Sequence, residues 1–131
     1  MSLESWKKKY YPISACETDE ADQVKHSLKK WKGLRAENLA EFGLSICGDG
    51  YVTDRYEILS ISDRTCSLCY HHTSKCGDRD CDGCPYVKLF GETCFGINGP
   101  FAAWTYDQDP EPMIKNLKKL NKAVKEGKIK L

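Results

Sequence analysis

The sequence predicts an α+β fold in one small domain, residues 1–131, with terminal helices packed on a short antiparallel sheet beside a zinc-knuckle loop of the ribbon or treble-clef kind. Three observations predict it. Amphipathic stretches with helical periodicity lie toward both ends of the chain. A strand–turn–strand pattern occupies the stretch from residue 44 to 61, and six of the eight cysteines fall between Cys66 and Cys94. At this length a single core is modest, and a metal or covalent cross-link adds materially to it.

The first helix is expected over residues 19–32. Ala21, Val24, Leu28 and Trp31 recur at three- and four-residue steps, while Lys25, Lys29, Lys30 and Lys32 occupy other faces. Thr18 is placed to cap its start, acids fill its first turn, and Gly33 is placed to end it. Trp31 reads as a core anchor, because an aromatic at helical spacing faces the interior more often than a ligand. A shorter helix over 36–42 stops at Gly43.

Leu44-Ser45-Ile46-Cys47, then Gly48-Asp49-Gly50, then Tyr51-Val52 reads as strand, turn and strand, and Tyr56-Glu57-Ile58-Leu59-Ser60-Ile61 extends the sheet. Cys47 and Cys16 have no cysteine nearby; Cys47 is expected to be a buried apolar residue, and neither belongs to the metal site. Residues 62–96 hold the other cysteines and few residues suited to regular structure. A loop of that length inside a small domain needs an organiser, which a metal supplies. The last helix, residues 110–127, opens on Asp109-Pro110-Glu111-Pro112 and carries a stripe of Met113, Leu117, Leu120 and Val124.

Net charge is +1, but its distribution is uneven. Residues 1–35 sum to +3, residues 36–112 to −8 and residues 113–131 to +6. The basic end permits contact with an anionic partner, nucleic acid included, through Lys115, Lys118, Lys119, Lys122 and Lys125; the plainer reading is a docked helix with a solvated face. No apolar stretch follows the lysine run at Lys7-Lys8-Lys9, and no run approaches transmembrane length, so a cytoplasmic location without membrane contact is the expectation. In that reducing setting paired cysteines favour metal over disulfides.

The chemistry-bearing motif is Cys66-Ser67-Leu68-Cys69 followed, after eleven residues, by Cys81-Asp82-Gly83-Cys84. Two thiolates three positions apart wrap one side of an ion, and a second pair closes the other. Zinc takes four such ligands in a closed structural site, and Cys66, Cys69, Cys81 and Cys84 satisfy that count. Cys94, Cys76, His71 and His72 lie within loop reach and compete for places. A two-zinc cluster would use most of these eight groups. An iron–sulfur cluster is the other cofactor considered, because Cys84-Pro85 echoes the cysteine–proline ending of some cluster motifs, although the spacing is not a ferredoxin run.

Other site chemistries fit less well. Asp78-Arg79-Asp80-Cys81-Asp82-Gly83 opens like a calcium loop, but position twelve is Leu89, where a bidentate Glu is needed. A cytidine-type deaminase needs His-x-Glu, and neither His26, His71 nor His72 is followed by Glu two residues on. There is no His-Glu-x-x-His, phosphate-binding glycine loop or nucleophile elbow. A thioredoxin-like role needs one reactive pair near a βαβ unit, not two pairs in a loop.

As an ensemble the residues resemble small cysteine-rich proteins encoded by phages and prophages, a group without an established activity. The likeness rests on Leu28-Lys29-Lys30-Trp31-Lys32-Gly33-Leu34, Glu37-Asn38-Leu39, Gly43-Leu44, Cys66–Cys69, Cys81–Pro85, Cys94 and Pro100-Phe101-Ala102-Ala103-Trp104, and spans roughly residues 24–120. It implies a viral or bacterial origin and raises Cys94 above Cys76 as a ligand. Cys76 and the doubled histidine depart from the pattern and leave the ligand set open.

The leading functional expectation is a non-enzymatic module whose structural zinc holds a surface for a protein or nucleic acid partner, in a host cytoplasm if phage-encoded. The alternatives are a metal-dependent, nuclease-like enzyme using His71 or His72, and a small-molecule or nucleotide binder lined by the aromatics of residues 95–104 and Tyr106. For those aromatics core packing is the plainer reading.

Overall fold

The computed structural model describes residues 2–48, 50–61, 66, 68, 84–94 and 99–130. Six helices and a three-stranded antiparallel sheet occupy these residues, so the class is α+β. Helix α1 is Leu3–Tyr10, α2 is Gln23–Lys32 and α3 is Ala36–Glu41. Strands β1 (Ser45–Cys47), β2 (Tyr51–Thr53) and β3 (Ile58–Leu59) follow. Helices α4 (Pro85–Phe90), α5 (Pro100–Asp107) and α6 (Glu111–Lys125) complete the order.

The densest packing is helix on helix, α2 against α6, with α4 and α5 also resting on α6. Val24, Leu28 and Trp31 from α2 join Met113, Ile114, Leu117 and Leu120 from α6 in one apolar cluster. The sheet contributes Val52 and Leu59 to the same cluster rather than forming the platform on which the terminal helices lie. Val124, expected in the buried stripe, is only half-buried; Ala123 takes the buried place there.

Helix α2 is shorter than the sequence expectation because residues 20–22 form a separate 3₁₀ turn. Thr18 does not cap it. Its hydroxyl donates to the Ser14 carbonyl at 3.0 Å. Ala21 is exposed, and Lys30, expected on a solvated face, is buried with its ammonium 5.5 Å from the Trp31 ring centroid. The inward face of α2 is therefore amphipathic itself, carrying Gln23, Ser27 and Lys30 among its apolar residues. Gly33 ends α2 as expected, but by close approach: a β-carbon there would collide with the Tyr10 ring, and its carbonyl accepts from Trp6 Nε1 at 2.8 Å.

Helix α1 went unrecognised in the sequence because a lysine run obscures its short apolar stripe. Ser2 caps it by accepting from the Ser5 amide, and Leu3 and Trp6 are fully buried. Helices α4 and α5 each begin on a proline, a residue that has no amide hydrogen to leave unpaired in a first turn. Pro85–Phe90 therefore corrects the expectation that residues 62–96 lack regular structure. Just before helix α6, Asp109 Oδ1 accepts from the Glu111 amide at 3.0 Å, while Pro110 holds the cap position.

In the sheet Ser45 pairs with Thr53, Cys47 with Tyr51 and Thr53 with Ile58. Val52 and Leu59 point into the core, so period-two alternation turns Cys47, Tyr51 and Ile58 outward. Cys47 is accordingly exposed, not buried as its neighbours suggested. Among the described residues no helix is long and apolar enough to cross a membrane.

Candidate metal centre

Two of the four paired cysteines are described. Cys66 is half-buried and its sulfur lies 3.8 Å from the Ser27 hydroxyl of α2. Cys84 is buried immediately before α4, where its carbonyl accepts from the Lys88 amide at 3.1 Å. The extended backbone of Cys84 and the fixed φ of Pro85 set where that thiol enters the core. Cys94, half-buried, is held by its carbonyl, which accepts from the Phe101 amide at the start of α5. Cys84 belongs to the apolar cluster itself, and Cys66 and Cys94 pack against it.

Cys69, Cys81, Cys76, His71 and His72 lie outside the described residues, as does the calcium-like stretch from Asp78 to Gly83. Among the described residues no three His, Cys, Asp or Glu side chains converge on a common point. Of the candidate ligands the sequence offers, Cys66, Cys84 and Cys94 are the ones described.

Tyr86 follows Cys84 and sits inside the cluster, 4.6 Å from the Phe90 ring. Its hydroxyl accepts from Asn116 Nδ2 at 2.8 Å, tying α4 to α6. Burial pushes its pKa up to about 12; the Asn116 bond opposes that, and the Cys94, Glu92 and Cys84 charges add to it. Tyr86 is accordingly neutral at physiological pH and serves as a packing group.

One residue on this side of the molecule escaped sequence reasoning. His26, on α2 next to Ser27, donates from Nε2 to the Ile13 carbonyl at 2.6 Å and rests against Tyr11, with ring centroids 5.1 Å apart. Among the described residues, Nδ1 is buried and has no hydrogen-bond partner. Desolvation holds the His26 pKa below 6.5, with Lys30 and Lys29 acting in the same sense and the Ile13 carbonyl and Cys66 opposing, so the ring is neutral at pH 7. Nothing in the sequence flags it, because it lies on a lysine-rich helix far from the cysteine cluster.

The aromatic patch is core. Trp104 is fully buried, its indole N–H donates to the Gly50 carbonyl at 3.2 Å, and its ring meets Trp31 edge-on. Phe101 also packs edge-on against Trp31, whereas Tyr106 is exposed; Phe95 lies outside the described residues. Lys115, Lys118, Lys119, Lys122 and Lys125 are all exposed on α6, opposite its buried stripe. Lys122 lies 3.9 Å from Glu126. No protein-family model, curated protein or solved structure matches the chain.

Proposed function

We propose that the chain is a small zinc-binding interaction module of phage or bacterial origin, with Cys66, Cys69, Cys81 and Cys84 as the core ligand set and Cys94, Cys76 and His72 as the competing positions. The zinc is structural: it closes the loop between β3 and α4 onto the helical core, and its binding free energy adds to folding because the unfolded chain holds no such site. The observation that carries the reading is the placement of Cys66 and Cys84, the outermost cysteines of the two pairs, at one apolar cluster, Cys84 within it and Cys66 packed against it.

The module acts by presenting surfaces, not by catalysis, and works in the cytoplasm. Two surfaces suit a macromolecular partner. The outward face of the sheet exposes Tyr51, Ile58 and the adjoining Tyr56, which favours a protein partner. The exposed lysines of α6 suit an acidic protein surface or nucleic acid phosphates. The zinc reading is tested by Cys84→Ser: metal stoichiometry and melting temperature are expected to fall together. A Cys84→Ser protein that keeps both would overturn it.

A further inference from the structure

We propose that the recess between helices α4 and α6 binds a small amphipathic anion, a carboxylate carried on an apolar body. The inference goes beyond the zinc reading and does not depend on it. Leu89 and Phe90 of α4 and Ala123 of α6 supply apolar lining, and Lys119, Lys122 and Lys128 place cations beside them. The recess has a volume of about 360 Å³, within the range of about 300–1,000 Å³ for small-molecule sites.

The sequence builds this space locally. Lys119, Ala123 and Glu126 recur at four- and three-residue steps, so they share one face of α6. Ala123 contributes only a methyl group to that face, and Leu89 and Phe90 opposite it stay half-buried. Both walls are fixed before any ligand arrives. The Phe90 ring lies 4.6 Å from the Tyr86 ring, and the Tyr86 hydroxyl accepts from Asn116 of α6 at 2.8 Å. At the far end Gly127, with φ +75°, turns the chain so that the Lys128 amide donates to the Ala123 carbonyl at 2.9 Å. The backbone of Lys128 is thereby held against the recess.

The charges select the headgroup. Three ammonium groups are set against one carboxylate, Glu126, which pairs with Lys128 at 3.1 Å and Lys122 at 3.9 Å. Lys119 is exposed and has no acidic partner among the described residues. An excess of two positive charges beside apolar lining suits a monoanion with an apolar body. A phosphate dianion suits it less well. No arginine is among the described lining residues, and the adjoining end of α6 presents carbonyls rather than amides.

Full-length protein labelled with ¹⁵N and titrated with octanoate tests this, with octanol and acetate as the neutral and short-chain probes. Octanoate is expected to bind saturably and to shift the amide signals of Leu89, Phe90 and Ala123. Octanol is expected to bind about five-fold more weakly, the effect of losing one exposed ion pair, and acetate to leave those signals in place. Lys119→Glu is expected to weaken octanoate binding about ten-fold. Lys118→Glu, the same charge change on an exposed neighbour outside the recess, should leave it within about two-fold. Unshifted signals in octanoate, or saturable shifts confined to other residues, overturn the proposal. Equal binding of octanol, or equal effects of the two lysine reversals, overturns it too. Shifts at these residues that grow with protein concentration alone would show a second copy covering the recess, with the same consequence.

Discussion

The Asp54 carboxylate anchors the start of helix α1, Oδ2 accepting from the Leu3 amide at 2.9 Å. Oδ1 meanwhile accepts from the amides of Tyr56 and Glu57 at 2.9 and 2.8 Å, closing the turn between β2 and β3. One side chain thereby joins the sheet to a helix that lies far from it in sequence. These amides, Leu3 first, hold the Asp54 pKa below the usual carboxylate range.

That shift fixes the sign of a pH dependence. A carboxyl whose folded pKa is depressed stabilises the fold fully above its unfolded pKa of about 3.9, and the contribution fades as pH falls toward the folded value. Asp54→Ala is therefore expected to lower the melting temperature by a few degrees at pH 7. The gap from the parent protein should close as both are taken into acid. A gap that stays constant down to pH 2 would contradict the assignment of that contribution to the ionised carboxylate.

Gly50 has a φ of +103°, and a β-carbon there would collide with the Trp104 indole. Gly50→Ala combines left-handed strain with overpacking of the core, so a loss of about 2–4 kcal/mol is expected in urea unfolding. Gly43 supplies the comparison: its φ is +68° but nothing lies within 4 Å of the added carbon. Gly43→Ala should cost only about 1 kcal/mol. Equal costs at the two positions would mean that the Trp104 contact contributes nothing.

The α2–α6 interface is the mechanical centre of the fold. Leu117 and Leu120 are essentially fully buried, and truncating either to Ala is expected to cost about 2–5 kcal/mol. Lys118→Ala, on the exposed face between them, should stay within about 0.5 kcal/mol of the parent. Comparable losses at Lys118 and Leu117 would show that α6 does not dock by this stripe.

Periodicity alone made α2, α3, the β1–β2 hairpin and α6 legible, because each carries its own stop signal: Gly33, Gly43, the Gly48–Gly50 turn and Gly127. Helices α4 and α5 were not legible. Each is short and shows little stripe, and the prolines that start them looked like motif elements instead. Lys30 was misread because a helical wheel assigns charge to solvent, whereas its long apolar stem allows burial beside Trp31. Cys47 was misread because its apolar neighbours outweighed the alternation, in which Leu44 and Ile46 share the inward phase and Ser45 and Cys47 the outward one. The cysteine pairs were plain in the sequence. The surroundings of His26 were not, since its contacts with Ile13 and Tyr11 exist only once the chain has folded.

If the α6 lysines contact phosphates, binding to a short duplex should weaken steeply with salt, and the slope of log affinity against log salt should fall by about 0.9 for each contact removed. Reversing Lys115, Lys119 and Lys122 to Glu should abolish such binding while leaving the melting temperature nearly unchanged. An absence of binding at low salt would remove the nucleic acid option.

The most direct test of the account is the metal content of the purified full-length protein, read together with its visible absorption spectrum. Colourless protein with one zinc per chain is the expected result. Brown protein containing iron, or protein with no stoichiometric metal, would contradict it.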